Sequence, residues 1–294
     1  MKDKFDIAFA SVIGSEHVRV GMNNQDALAV ATGPDFLMGV VADGCGSCPR
    51  SEVGSVLLTR WAVKHIPYIL NGMKKEDAQK GLRIARSMIV NSIREFAVTS
   101  QVEYGLVSGS DVGMEDVAPM YSMDGLIATC LLSTLVGFYI CNEYAILFSV
   151  GDGYQALNGS FIKLDTADEE MNAPAYLAYE AMTRIPSSVS RESLAFVATD
   201  PIPLVDVGTI MVATDGIRHI VWGQDENIPG KSSKVGGVSQ LWEDKMFMNP
   251  DIMRRRLYLL SRDVHTPDWV GEAMITHPSI LKDDTTVISV RRKP

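Results

Sequence analysis

The sequence predicts an α+β fold with mostly antiparallel sheets that are covered by helices. Along the 294 residues, strand-like and helix-like segments come in runs: strands, two helices, many strands, two helices and one last strand. This order lacks the regular strand–helix alternation of a parallel doubly wound fold. No internal repeat, low-complexity tract or interdomain linker is visible, so a single domain over residues 1–294 is predicted.

The first half of the chain contains three strands and then two long helices. Alternating or continuous apolar runs bounded by turn residues predict strands at Phe5–Val12, Ala27–Thr32 and Phe36–Ala42. Apolar residues at helical spacing predict a helix over Ser51–Leu70, with Ser51 able to cap its start, and a second helix over 75–103. The polar, glycine-rich stretch 105–124 predicts a loop.

The second half is predicted to consist mostly of short strands. The nearly uncharged run 125–141 is too short for a membrane-spanning helix and is rich in Thr, Val, Ile and aromatic residues, which favours paired strands. Residues 165–192 predict an irregular segment. The predicted strands are 126–132, 136–141, Tyr144–Val150, 154–157, 194–198, Thr209–Ala213 and 286–290, with a hairpin turn at Asn158-Gly159, a loop over 222–237, and helices at 250–262 and 267–277, each opening near a proline.

The composition is typical of a globular protein, and the charge excludes one class of partner. The chain is 46% hydrophobic and 21% charged, and 27 Lys+Arg against 36 Asp+Glu give a formal net charge of −9. A nucleic-acid-binding protein needs a basic face, so nucleic acid is not expected as a partner. No secretory signal is visible at the start of the sequence, and a cytoplasmic location without membrane association is expected.

Two of the four cysteines form a C-x-x-C pair, Cys45 and Cys48. Such a pair is typical either of a redox-active site or of half a zinc site. No second pair with the spacing of zinc ligands completes the set.

Acidic residues occur at five strand ends. Asp26 precedes a predicted strand, Asp43, Asp152 and Asp215 each follow one, and Asp283-Asp284 precede the last. Any one Asp-Gly is also a common turn, so a single case carries little weight. Clustered aspartates repel one another unless cations neutralise them, and an oxygen-rich site suits Mg²⁺ or Mn²⁺ better than zinc.

Five segments together resemble the ordered motifs of the PPM, or PP2C-type, metal-dependent protein phosphatases, in a divergent bacterial branch. They are NNQDA (23–27), VVADGCGS (40–47), LFSVGDGYQAL (147–157), MVATDGI (211–217) and KDDTTVISV (282–290). The resemblance extends from about residue 7 to residue 290. It implies a four-layer α-β-β-α sandwich and a serine/threonine phosphatase that uses water activated by two Mg²⁺ or Mn²⁺ ions.

The resemblance also implies roles for individual residues. Asp43 would bridge the two ions and the Gly44 carbonyl would be a backbone ligand; Asp215 and Asp283 would complete the second ion; Asp26 would act mainly through bound water, Asp152 at a weaker third ion, and Arg19 on the phosphate. Gln25 departs from the pattern, because many members have Glu there. His219 stands where some members have a further aspartate.

The expected partner is a phosphorylated protein, either a Ser/Thr kinase or the targets of one. Gln25 favours an alternative, a weak or inactive pseudophosphatase that serves as a binding or regulatory module. A phosphatase of small molecules is the third hypothesis, since the chemistry of the site does not specify what carries the phosphate.

Overall fold

Two antiparallel sheets lie face to face and helices cover the outer face of each, which confirms the predicted α+β class and the four layers α-β-β-α. The structure is a computed structural model that describes residues 1, 3–107, 122–164, 174–187 and 189–293. Its helices are α1 (Ser15–Val20), α2 (Ser51–Leu70), α3 (Ala78–Val107), α4 (Met123–Leu126), α5 (Arg218–Trp222) and α6 (Ile252–Leu260). Its strands are β1 (Phe5–Val12), β2 (Ala27–Thr32), β3 (Phe36–Ala42), β4 (Leu135–Cys141), β5 (Tyr144–Val150), β6 (Gly153–Leu157), β7 (Ser160–Leu164), β8 (Val197–Ala198), β9 (Ile202–Pro203), β10 (Thr209–Ala213), β11 (Val264–Asp268), β12 (Ala273–His277) and β13 (Thr285–Arg292).

Each sheet draws its strands from distant parts of the chain. The first sheet has the order β1-β13-β10-β6-β7, and the second has the order β2-β3-β4-β5-β8, with β9 also paired to β5. In the register of the first sheet Ala10 lies opposite Val287, and in that of the second Ala27 lies opposite Ala42. Because the described strands of these sheets pair antiparallel, the start of each strand lies beside the end of its neighbour.

Three apolar layers hold the sandwich together. Side chains such as Phe138, Val212 and Ile288 fill the space between the sheets. The outer face of the second sheet packs against α2 and α3, and the outer face of the first packs against α6. Burial of this apolar surface is the main force that fixes the stacking of the layers. No helix among the described residues is long and apolar enough to span a membrane.

Most of the predicted elements are present. The bounds of β1, β2, β3 and α2 match the prediction, and a short 3₁₀ turn at Lys75–Asp77 leads into α3. The predicted 250–262 helix is shorter, and only two residues of 194–198 pair as a strand. Of the predicted loops, residues 108–121, 165–173 and 188 lie outside the described residues.

The prediction of a strand over 126–132 is wrong, because this segment is helical. Helix α4 continues into a π-helix over Ile127–Leu131, and Ser122 caps its start by accepting a hydrogen bond from Gly125 N. Ile127 and Leu131, four residues apart, are buried against the α2/α3 layer. An apolar run of this length fits a buried helix as well as a strand, and tertiary packing decides between them.

The prediction of a helix over 267–277 is also wrong, because β11 and β12 form a separate hairpin there. Asp268 accepts hydrogen bonds from the backbone N–H groups of Val270 and Gly271, which closes the turn. Thr276 Oγ1 lies 3.0 Å from His265 Nδ1 across the strands. This local bonding at the Asp268 turn outweighs the helix signal from Pro267.

A glycine in α2 permits the close packing of the π-helix. A Cβ built on Gly54 would lie 2.6 Å from the Cys130 carbonyl oxygen. We therefore expect Gly54→Ala to destabilise the protein by about 1–3 kcal/mol, because the two helical segments must move apart. The midpoint of urea unfolding measures this loss.

Gly237→Ala is the matched control for this substitution. A Cβ at Gly237 meets its nearest neighbour at 3.6 Å, and its backbone φ of −68° suits any residue. An equal shift of the midpoint in both variants would contradict the close-packing explanation.

Candidate active site

The strand-end aspartates meet at one end of the sandwich because of the antiparallel pairing. In the second sheet Asp26 comes directly before β2, Asp43 directly after β3, and Asp152 just beyond β5. In the first sheet Asp215 follows β10, and Asp283 and Asp284 precede β13. Starts and ends of neighbouring antiparallel strands share an edge, so all of these positions face the same end of the stacked sheets.

The carboxylates of this end are close enough to perturb one another. The pKa of Asp26 is raised to about 8, mainly by burial and also by the negative charges of Asp284 and Asp283, while a hydrogen bond from Thr214 opposes the rise. Burial also raises the pKa of Asp43 well above its usual range, with further increases from the charges of Asp26, Asp152 and Asp283. Such crowding favours either protonation or a nearby positive charge.

Asp26 has one satisfied and one unsatisfied oxygen. Its Oδ2 accepts a hydrogen bond of 2.7 Å from Thr214 Oγ1, which itself accepts one from Thr286 N. Its Oδ1 is buried and has no hydrogen-bond partner among the described residues. Two carboxylates cannot bond each other without a proton, so Asp43 does not satisfy this oxygen as an anion. An unsatisfied buried oxygen is a suitable ligand for a cation or for an ordered water.

Asp284 positions the segments that carry the other aspartates. Its Oδ1 accepts a hydrogen bond from Gly14 N at 2.7 Å, and its Oδ2 accepts one from Gln25 N at 2.6 Å. His17 Nδ1 lies 2.9 Å from the same Oδ2. Asp284 thus joins the start of β13 to the loop before β2, which brings Asp283 and Asp26 together. The sequence indicated an acidic pair here, but it did not distinguish this positioning role from that of a ligand.

Gln25 is a buried residue within the aspartate cluster. Its Nε2 donates to the Cys48 carbonyl at 3.2 Å, while its Oε1 has no hydrogen-bond partner among the described residues. The backbone around it is tight: Gly44 N donates to the Gln25 carbonyl, and a Cβ on Gly44 would lie 2.8 Å from that oxygen. Glycine is therefore required at 44 for the close approach of the two loops.

Arg218 contacts two of the predicted ligands at once. Its guanidinium pairs with Asp215 and also donates from Nη2 to Asp283 Oδ2 at 3.0 Å. The Arg218 side chain is 30% exposed, and its guanidinium lies 5.9 Å from the centre of the Trp222 ring. The sequence prediction did not include this residue, because nothing in its spacing separates it from a surface arginine.

Arg19, the predicted phosphate-binding residue, lies on α1 and is 52% exposed. Its Nη2 donates to both oxygens of Asp263, at 2.9 and 3.2 Å. The pKa of Asp263 is lowered by a hydrogen bond from the Ser279 backbone and by Arg19. The contact observed for Arg19 is thus an ion pair with a residue outside the aspartate cluster, and its role on phosphate stays a prediction.

The two cysteines of the C-x-x-C pair are reduced and adjacent. Cys48 N donates to the Cys45 carbonyl, and Cys48 Sγ lies 3.1 Å from the Ala128 carbonyl oxygen. A hydrogen bond between the two thiols lowers the pKa of Cys45 to about 5, against a smaller increase from burial. Cys45 Sγ also lies 3.2 Å from Ser47 Oγ.

The oxygen donors suit a hard divalent cation in their chemistry. Carboxylates of Asp26, Asp43, Asp152, Asp215 and Asp283 and the Gly44 carbonyl share one end of the sandwich. Even so, among the described residues no group of three Asp, Glu, His or Cys side chains is arranged to hold an ion. Two of these carboxylates, those of Asp215 and Asp283, are instead paired with the Arg218 guanidinium.

Comparisons with known proteins agree with this fold. A family model described as protein phosphatase 2C matches residues 13–245. No curated protein matches the chain.

Solved structures of phosphatases share the fold at low sequence identity. The serine/threonine phosphatase Stp1 from Staphylococcus aureus has a TM-score of 0.52 at 12% identity, over 98% of this chain and 95% of that one. A bacterial serine phosphatase has a TM-score of 0.51 at 13% identity, over 98% and 97%. The catalytic domain of the serine/threonine protein phosphatase PstP, in complex with two manganese ions, has a TM-score of 0.50 at 14% identity, over 99% of both chains.

At such low identity the solved structures establish the fold alone. The match to the family model covers more than half of the chain and contains four of the five strand-end motifs. The chain belongs to the protein phosphatase 2C family.

Proposed function

We propose that this protein hydrolyses phosphoserine and phosphothreonine in proteins, with two Mg²⁺ or Mn²⁺ ions held by the strand-end aspartates. The observation that carries the proposal is the meeting of five aspartates at one end of the sandwich, with the buried Asp26 Oδ1 left without a donor among the described residues. The manganese ions of PstP, which shares the fold, support the choice of cation. We further propose that residues 1–294 act as one domain, since both sheets combine strands from the two halves of the chain.

Each residue has a proposed part in this function. Asp43, the Gly44 carbonyl, Asp215 and Asp283 would be the ligands of the two ions. Asp26 would orient water through Oδ1, and Asp152 would bind a weaker third ion. When bound, the ions would lower the pKa of water and neutralise phosphoryl oxygens. Asp284 and Thr214 would keep the carboxylates in place through the hydrogen bonds to Gln25, Gly14 and Asp26.

The chain's own residues also determine how the protons are held. Burial shifts the pKa values of Asp26 and Asp43 upward and so favours their protonated forms, whereas a bound cation would favour the carboxylates. Cation binding is therefore expected to release protons, and to be weaker at low pH. The phosphate group of the substrate would take its place at the solvent side of Asp283, which is more exposed than Asp284.

We expect turnover of p-nitrophenyl phosphate and of a phosphothreonine peptide with Mn²⁺, and none in excess EDTA, because the aspartates supply ligands but no positive charge to the transition state. Restoring Mn²⁺ should restore the rate, and an unchanged rate in EDTA would overturn the proposal. Binding of a phosphoprotein without turnover under any of these conditions would select the pseudophosphatase.

A substitution tests the role of the central aspartate. Asp43→Asn should lower turnover by at least about 100-fold, the scale on which loss of a catalytic group is felt. Asp244→Asn, which changes an exposed aspartate paired with Arg291, is the matched control and should leave the rate unchanged. Equal rates for the two variants would remove Asp43 from the site.

Asp26→Asn should stabilise the protein in EDTA, and the gain should grow with pH. The pKa of Asp26 is raised to about 8 in the folded state, whereas it is about 4 in the unfolded chain. Below about pH 4 the carboxyl is protonated in both states, and its contribution to the free energy of unfolding is fully present. As the pH rises toward 8 the unfolded chain loses this proton first, so that contribution is lost. The amide oxygen of Asn can still accept the bond from Thr214. Melting temperatures of the two proteins should therefore coincide near pH 4 and separate by pH 8.

Addition of Mn²⁺ provides the control for this comparison. If Asp26 acts at the cation site, Mn²⁺ should raise the melting temperature of the wild type more than that of Asp26→Asn. Parallel curves of melting temperature against pH would contradict the proposed burial of an unpaired charge.

A further inference from the structure

Arg218 places a positive charge inside the aspartate cluster. It is the first residue of α5 and follows the turn that begins with Asp215. Its guanidinium contacts the carboxylates of both Asp215 and Asp283, which lie next to the ends of two different strands of the first sheet, β10 and β13. With 30% of its side chain exposed, the guanidinium can be reached from solvent.

Cations and Arg218 would use the same carboxylate oxygens. Asp283 Oδ2 accepts the hydrogen bond from Arg218 Nη2, and Asp215 Oδ2 faces Nη1. A divalent ion that binds these oxygens must therefore displace the guanidinium, and the two positive charges would then repel each other at close range. Displacement also fits the finding that, within the described part of the chain, no three acidic side chains are arranged to hold an ion.

A displaced guanidinium stays at the site. The Arg218 backbone is fixed by the Asp215–Ile217 turn, and its guanidinium lies 5.9 Å from the centre of the Trp222 ring, a contact that favours a cation. His219, on the same helix, packs edge-on against that ring, and its Nδ1 atom lies 3.1 Å from the Gly216 carbonyl oxygen. The tether and the ring together restrict the guanidinium to the neighbourhood of Asp215 and Asp283.

The phosphoryl group of a substrate is the anion that can replace the lost carboxylates. The planar guanidinium donates two parallel hydrogen bonds, and the oxygens of a phosphate monoester match them as carboxylate oxygens do. Arg19, by contrast, already has both oxygens of Asp263 as partners.

We propose that Arg218 recognises the phosphate of the substrate, and that cation binding transfers its guanidinium from Asp215 and Asp283 to the phosphoryl oxygens. This inference rests on the proposed function, since it takes phosphate monoesters as substrates. It makes Arg218 a sensor of cation loading: phosphate is bound well only after the ions have displaced the arginine from the carboxylates.

The test uses calorimetric titration of the full chain with Mn²⁺, and then of the Mn²⁺-loaded protein with inorganic phosphate. Arg218→Ala should bind Mn²⁺ about 5-fold more tightly, because a competing charge is removed. It should bind phosphate roughly 10- to 100-fold more weakly, which is the size of a lost hydrogen bond between charged groups. In p-nitrophenyl phosphate assays the KM should rise more than kcat falls.

Two further variants make the result specific. Arg218→Lys keeps the charge but not the planar fork, so it should bind Mn²⁺ as the wild type does and recover part of the phosphate affinity. Arg254→Ala is the matched control: it removes an exposed arginine that is also paired with an aspartate, Asp251, and it should change neither affinity.

Several outcomes would overturn the inference. The inference fails if Arg218→Ala binds phosphate as the wild type does, or if this variant binds Mn²⁺ more weakly. It also fails if phosphate binding is lost in Arg19→Ala alone, or if the wild type binds no phosphate. If the wild type binds both ligands as described but turns over no substrate, the proposed function fails and the role of Arg218 in phosphate binding stands.

Discussion

The carboxylate of Asp284 is the group on which the arrangement of the site depends. It is buried, and it accepts backbone hydrogen bonds from Gly14 and Gln25, which lie far away in sequence. Burial raises the pKa of Asp284, while these two bonds and His17 oppose the rise. Were the carboxylate removed, two N–H groups in the interior would lose their acceptor, at a cost of about 1–3 kcal/mol each. The junction between β13 and the loop before β2 is therefore held by a charge that points away from solvent.

The same junction brings together groups that repel one another. Asp26 and Asp43 are desolvated, and the negative charge of Asp26 raises the pKa of Asp43, so the burial of these carboxylates opposes folding at this end of the sandwich. Apolar packing between the sheets and beneath the helices offsets this cost. Binding of positive charge, either from Arg218 or from cations, relieves the repulsion. Stability and ligand binding are thus linked at this end of the molecule.

The sequence predicted the strands and helices whose periodicity matches their burial. Residues of β3 are buried on both faces and read as a continuous apolar run, and α2 shows helical spacing, so both were predicted with the right bounds. The segments over 126–132 and 267–277 were misassigned, because the first is a short apolar run of either type and the second is shaped by an Asp268 turn. Local pattern cannot reveal packing against a distant glycine such as Gly54.

For the site, the sequence identified which aspartates lie at strand ends, since that depends only on element order. It could not assign the separate roles of Asp283 and Asp284. Asp283 is partly exposed and pairs with Arg218, whereas Asp284 is buried and accepts hydrogen bonds from backbone N–H groups. It also could not identify Arg218, because the proposed role of this residue depends on its ion pairs with Asp215 and Asp283, which lie at the ends of different strands. Side-chain contacts between distant segments are a property of the folded chain.

The β11–β12 hairpin has a practical consequence for protein engineering. Among the described strands, its two strands hydrogen-bond to each other and to neither large sheet, and its tip exposes Trp269 and Val270 by 86% and 97%. It also lies beyond the residues that match the family model. Exposed turns of this kind tolerate added sequence. The tip of the hairpin is therefore the place to graft an affinity tag or a fluorophore-bearing loop without disturbing the sandwich.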